Sequence, residues 1–185
     1  MSVEAQDRDY LDENGVYLFM DDFDHENVAD AIRFILDKNL APRGQKPDHL
    51  TIIFNSNGGD LHDAFALVDV MRGSRIPIHT VGIGCVMSAG LIAFMAGDEG
   101  NRALTPNTSI MSHQYSWGTD GKEHELIATI KEYDLTKKRL LNHYKKYTGM
   151  NEKQINTILM PPEDVYLDAK EAIKYGLADK IISRF

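Results

Sequence analysis

Three short stretches hold residues that could do chemistry. Asn57-Gly58-Gly59-Asp60 sets a glycine pair between a strand-like run and a helix-like run. Glycines at such a junction let backbone N–H groups point at a ligand or an oxyanion. The same pair also suits a plain tight turn. Gly84-Cys85-Val86-Met87-Ser88-Ala89-Gly90 brings a serine from a strand end into a helix start. The positive field of a helix terminus favours a nucleophile there, and serine is also a common helix cap. Val86 stands where the esterase elbow has its first glycine, so that motif is not matched. Ser112-His113-Gln114 places one histidine after an apolar run, where a satisfied structural histidine is the usual finding. Cys85 is the single cysteine, so no internal disulfide can form. It reads as a small buried residue rather than a nucleophile. A structural zinc site would need more thiols or a histidine cluster.

These residues need elements to position them. Val16–Met20 reads as a strand, and Asp24 caps a helix with Val28, Ala31, Ile32, Ile35 and Leu36 on one face. Residues 41–47 form a loop by their Pro and Gly content. Leu50–Phe54 is a second strand. After the glycine turn, Asp60 caps a helix with Leu61, Ala64, Phe65, Val68 and Met71 on its apolar face. Ile76–Ile83 is a third strand and Ser88–Ala96 a helix of small residues. Alternating strands and helices mean a parallel sheet with helices packed on it, an α/β fold. Asn107–Met111 then leads to His113. A long helix is expected from about Lys122 to Tyr147, with Leu126, Ile130, Tyr133, Leu140, Tyr144 and Tyr147 near heptad spacing. Such a helix, charged on most faces, projects and seeks a partner helix. Asn151 with Gln154 and Asp168 with Glu171 are capping boxes of two short helices. Gly176 ends the second, before a last strand, Leu177–Ile182.

Length and charge bound the function. The 185 residues suit one domain, 1–185. A net charge of −8 argues against nucleic-acid and anionic-membrane binding, which need basic surfaces. Ile76–Gly97 carries no charged side chain and is long enough to span a bilayer, but Pro77, Gly82 and Gly84 break it as one helix. With an acidic start that is not a signal peptide, a soluble cytoplasmic protein is expected. The acidity is local. Residues 1–30 hold ten acids and one base, while the remainder nets +1.

The combined blocks resemble the ClpP family, the proteolytic subunit of the ATP-dependent Clp protease, from about Val16 to the C-terminus. They are Asn55-Ser56-Asn57-Gly58-Gly59, Val86-Met87-Ser88-Ala89-Gly90, Met111-Ser112-His113-Gln114 and Thr148-Gly149. The last runs from Asp164-Val165-Tyr166-Leu167-Asp168-Ala169 into Glu171-Ala172-Ile173-Lys174-Tyr175-Gly176-Leu177-Ala178-Asp179. The resemblance implies a ClpP/crotonase-like fold of stacked ββα units with a mostly parallel sheet. Residues of about 122–148 would form its projecting handle helix. It implies a serine endopeptidase that hydrolyses peptides and unfolded proteins inside a ring chamber, with no cofactor. Ser88 would be the nucleophile, His113 the general base and Asp164 the acid that orients it. Gly59 and Ala89 would supply the oxyanion-hole N–H groups. Gly58, Asp60, Leu61, Gln114 and Tyr115 would line an extended peptide by backbone pairing. Glu163 and Asp168 are rival acids, but only Asp164 keeps the family's spacing to the aromatic-Leu-x-Ala block.

The chain also departs from the family. Asn57 replaces a proline, and about two extra residues, including Pro161-Pro162, precede Asp164. Glu163 stands where the family has an arginine, and Lys122 where it has a ring contact, so the two would form a swapped pair between rings. Homo-oligomeric rings are expected, heptamers stacked as a tetradecamer. Only the short acidic segment 1–15 precedes Val16, which puts docking of an AAA+ unfoldase ATPase in doubt. That segment would give the axial mouth a negative charge that disfavours acidic peptides. The alternatives are a catalytically silent ClpP-like structural ring subunit and, less favoured, an acyl-CoA enzyme of crotonase type.

Overall fold

The structure, a computed structural model, describes residues 10–185. Glu4, Asp7, Arg8 and Asp9 of the acidic segment lie outside the described residues, and the other seven acids up to Asp30 are exposed. The chain forms two compact units, residues up to Met111 with Tyr166–Phe185, and Ser112–Val165.

The first unit is an α/β sheet with its helices. β1 (Val16–Phe19), β2 (Leu50–Ser56), β3 (Ile78–Met87), β4 (Arg102–Leu104) and β7 (Lys180–Ile181) lie side by side in that order, all parallel. β5 (Ser109–Ser112) lies off this path and pairs with β3, Met87 opposite Met111, and β6 (Val165–Leu167) pairs with β5. α1 (His25–Leu40), α2 (Leu61–Gly73) and α3 (Ala89–Met95) are the crossover helices. Asp24 and Asp60 cap α1 and α2 as the sequence predicts, each accepting backbone N–H bonds in the first turn.

The core meets the site through aromatic rings. Phe19 stacks on Phe23 at 4.3 Å, and Phe54 meets Phe94 edge-on at 6.4 Å. Such pairs each add about 0.5–1.5 kcal/mol beyond their buried area. Phe19 and, at 6.4 Å, Phe54 both stack on Phe23 and hold it in place, and its backbone braces the glycine turn described below.

Several boundaries differ from expectation. β3 continues to Met87, because Gly84 (φ 58°) absorbs a bulge that lets the strand go on. The β2–β3 register shifts there, from Phe54–Gly82 to Ser56–Val86. On α1, Leu36 is exposed and Phe34 is buried in its place. β4 has no counterpart in the sequence reading. The last strand is confined to Lys180–Ile181, while Leu177 and Ala178 are buried before it.

The second unit is built on α4 (Glu123–Thr148), ended by Gly149 at φ 69°. Its C-terminal half buries Thr136, Leu140, Leu141, His143 and Tyr144. Its N-terminal half leaves Ile127 and Ile130 exposed, so the heptad stripe is not covered along its whole length within this chain. α5 (Glu152–Gln154) runs into a π-helical turn, Ile155–Leu159. The capping boxes Asn151–Gln154 and Asp168–Glu171 form as predicted, the latter opening α6 (Ala169–Lys174). Among the described residues no helix is long and apolar enough to cross a membrane.

Candidate active site

In the first unit the glycine turn and the serine meet. Phe23 forms a parallel bridge with Gly59, using the Gly58 carbonyl (2.7 Å) and the Asp60 N–H (2.6 Å). Neither bond uses the N–H of Gly59, which this geometry turns away from Phe23. Gly58 and Gly59 have φ of 109° and 140°, values that only glycine adopts without strain. A β-carbon on Gly58 would sit 2.7 Å from Ser88 Cβ and 3.1 Å from the Ala89 nitrogen. A side chain there would push the turn away from Ser88.

Ser88 itself is strained. At φ 52° and ψ −122° it is the one non-glycine residue with positive φ among the described residues. Strain of this kind costs about 1–3 kcal/mol and clusters at functional sites. The Ser88 hydroxyl does not cap α3, so the helix-cap reading of this serine fails. Its N–H donates to the Met111 carbonyl at 2.9 Å, and its carbonyl accepts from Leu91 at 3.0 Å. Ala89 is the first residue of α3, and its N–H lies outside the intrahelical ladder.

The neighbouring residues have other tasks. Asp60 Oδ1 accepts from the N–H groups of His62 and Asp63, and Leu61 is buried. Asn55 Oδ1 accepts the Cys85 N–H at 3.0 Å and so pins the β3 bulge. Burial raises the Cys85 pKa, which keeps the thiol protonated and disfavours it as a rival nucleophile.

The second unit brings His113 and Asp164 together. His113 Nδ1 lies 3.7 Å from Asp164 Oδ1, close enough for an ion pair and too long for a hydrogen bond. His113 immediately follows β5. The Gln114 amide donates to the Met160 carbonyl at 3.0 Å, and Tyr115 stacks with Tyr133 at 6.0 Å. Of the rival acids, Asp168 spends Oδ1 on the N–H groups of Lys170 and Glu171, while Glu163 is exposed, as Asp164 is. The Lys122 N–H donates to Glu125 at 2.9 Å at the start of α4. Among the described residues no group of three or more His, Cys, Asp or Glu is placed to hold a metal ion.

Asn55, Ser112 and Tyr144 stand in the blocks and the helix stripe named above, but the sequence did not show the tasks of the Asn55 amide or of the two hydroxyls. Ser112 Oγ lies 2.7 Å from the Tyr144 hydroxyl, across 32 positions of sequence. The only sequence signal was a polar residue at the end of an apolar strand.

Known proteins resemble this chain in sequence and in fold. The family model described as Clp protease matches residues 19–185. The ATP-dependent Clp protease proteolytic subunit of Deinococcus radiodurans is 33% identical over 141 residues, covering 76% of this chain and 68% of that protein. A point mutant of ClpP1 from Listeria monocytogenes superposes with a TM-score of 0.82 at 25% identity, covering 95% of each chain.

Proposed function

The chain belongs to the Clp protease family of serine peptidases, and we propose that it cleaves peptides and unfolded proteins through Ser88, His113 and Asp164. His113 takes the proton of Ser88 as the hydroxyl attacks the scissile carbonyl, then returns it to the leaving amine. Asp164 holds the imidazole in the tautomer that accepts at Nε2. The N–H groups of Gly59 and Ala89 receive the oxyanion. Water then hydrolyses the acyl-enzyme. The observation that carries this reading is the strained backbone of Ser88, pressed against Gly58 at the start of a buried helix. The 3.7 Å between His113 and Asp164 suits a resting pair that tightens when substrate is bound.

A fluorophosphonate probe followed by mass mapping tests the reading. The adduct is expected on Ser88, and its absence from folded, assembled protein would end the proposal. Gly59→Ala provides a separate check on the oxyanion hole. Its β-carbon would collide with the Phe23 backbone. We expect kcat to fall by about 10²–10³, the usual effect of losing one oxyanion donor.

The assembly we propose is a homo-oligomer of heptameric rings stacked as a tetradecamer, working in the cytoplasm with an ATPase partner. The name of the Deinococcus radiodurans relative, which specifies ATP dependence, supports such a partner. Lys122 and Glu163 are proposed to pair between rings. Lys122→Glu and Glu163→Lys should each weaken assembly in light scattering, and the double reversal should restore it. A double variant that assembles no better than either single one would remove the pair.

A further inference from the structure

Both neighbours of His113 are tied to the segment that delivers Asp164. Ser112 Oγ donates to the Leu159 carbonyl at 2.6 Å. That uses its one proton, so its 2.7 Å bond to Tyr144 is donated by the tyrosine. Burial pushes the Tyr144 pKa up to about 12, so the hydroxyl stays protonated and can donate. Both residues are buried, Ser112 fully and Tyr144 to within 2%. On the other side of His113, Gln114 donates to the Met160 carbonyl.

Leu159 and Met160 close the π-helical turn, through the Met160 N–H bond to Ile155 at 2.9 Å. Pro161-Pro162 follow, each with a nearly fixed φ. Glu163 and Asp164 come next. A chain held at Met160 and stiffened by two prolines carries its register forward to Asp164. We propose that Ser112 and Tyr144 are positioning residues that set the distance between His113 and Asp164; this deepens the triad reading above and rests on it. Replacing Ser112 with an apolar residue would take this donor from the buried Leu159 carbonyl, a loss that shape alone does not repair. What the hydroxyls add is direction, because a hydrogen bond fixes Leu159 in one orientation and an apolar contact does not.

The test is a pair of double-mutant cycles. Ser112→Ala and Tyr144→Phe are made alone and with Asp164→Ala. Each variant is checked for folding and assembly, then assayed on a small peptide. Tyr144→Phe keeps the ring and so guards against misfolding. Each single variant is expected to lower kcat by about 10- to 100-fold, the scale of a 1 Å misplacement, with KM changed less than about threefold. With Asp164→Ala already present, the further loss should vanish, because the hydroxyls act through that carboxylate. An equal loss in both backgrounds would overturn the proposal by showing a general structural role. An unchanged kcat in both single variants, with Asp164→Ala impaired, would overturn it and leave the triad intact. An unimpaired Asp164→Ala would remove the triad reading, and the proposal with it.

Discussion

Replacing Ser88 with alanine is expected to lower peptide hydrolysis by a factor on the order of 10⁴ or more, with folding unaffected. The activity loss follows from removing the attacking oxygen, which His113 and the oxyanion donors cannot replace. Stability should hardly change, because alanine has the same β-carbon as serine and bears the same strain at φ 52°. The hydroxyl it removes does not cap α3. Ser88→Gly separates the two effects. It should be as inactive as Ser88→Ala yet more stable, since glycine adopts this backbone freely. Thermal unfolding and a peptide assay on the three proteins would show both. If Ser88→Ala loses less than about tenfold, another group is the nucleophile. Cys85 is the first to examine, though burial disfavours its thiolate.

The elements that position the site were legible wherever the signal was local. Asp24, Asp60, Asn151 and Asp168 each marked a helix start, because a cap needs only its own first turn. The strand-to-helix junctions at Gly59 and Ser88 were legible for the same reason. The true length of β3 was hidden by Gly82, Gly84 and Cys85, which resemble a turn in sequence. In the fold, Gly84 accommodates a bulge that the Asn55 side chain fills. Arg102 concealed β4, since a charged residue rarely opens a buried strand and its partner, Asp179, is 77 positions away. The tie from Ser112 to Tyr144 was hidden by the same kind of distance. The positive φ of Ser88 leaves no mark on residue type at all, because serine has no special tolerance for it.

Asp179→Ala should destabilise the first unit by about 3–5 kcal/mol, the usual cost of removing one partner from a buried ion pair. The Arg102 side chain is only 6% exposed. Its Nε and terminal nitrogen reach Asp179 at 3.0 and 2.5 Å, and it also donates to the Gly176 carbonyl at 3.1 Å. The Arg102 N–H adds a bond to the same carboxylate at 2.9 Å. Without Asp179 the buried guanidinium loses its counter-charge. Burial alone would raise the Asp179 pKa, but the hydrogen bonds and charge of Arg102 outweigh it and hold it below its ordinary 3.8. A carboxyl depressed in the fold adds stability that is present above about pH 3.8 and is lost as pH falls through its folded value. Urea unfolding between pH 5 and pH 3 should therefore show wild-type stability falling, with a shallower fall in Asp179→Ala. A parallel fall in both would show that other carboxylates set the acid limit. The link to catalysis is the sheet. β4 pairs β3 from Thr80 to Gly82, and β3 ends one residue before Ser88. If the clamp serves only the fold, Asp179→Ala should lose activity in step with its unfolded fraction. A loss beyond that fraction would mean that β4 also holds the strand that aims Ser88.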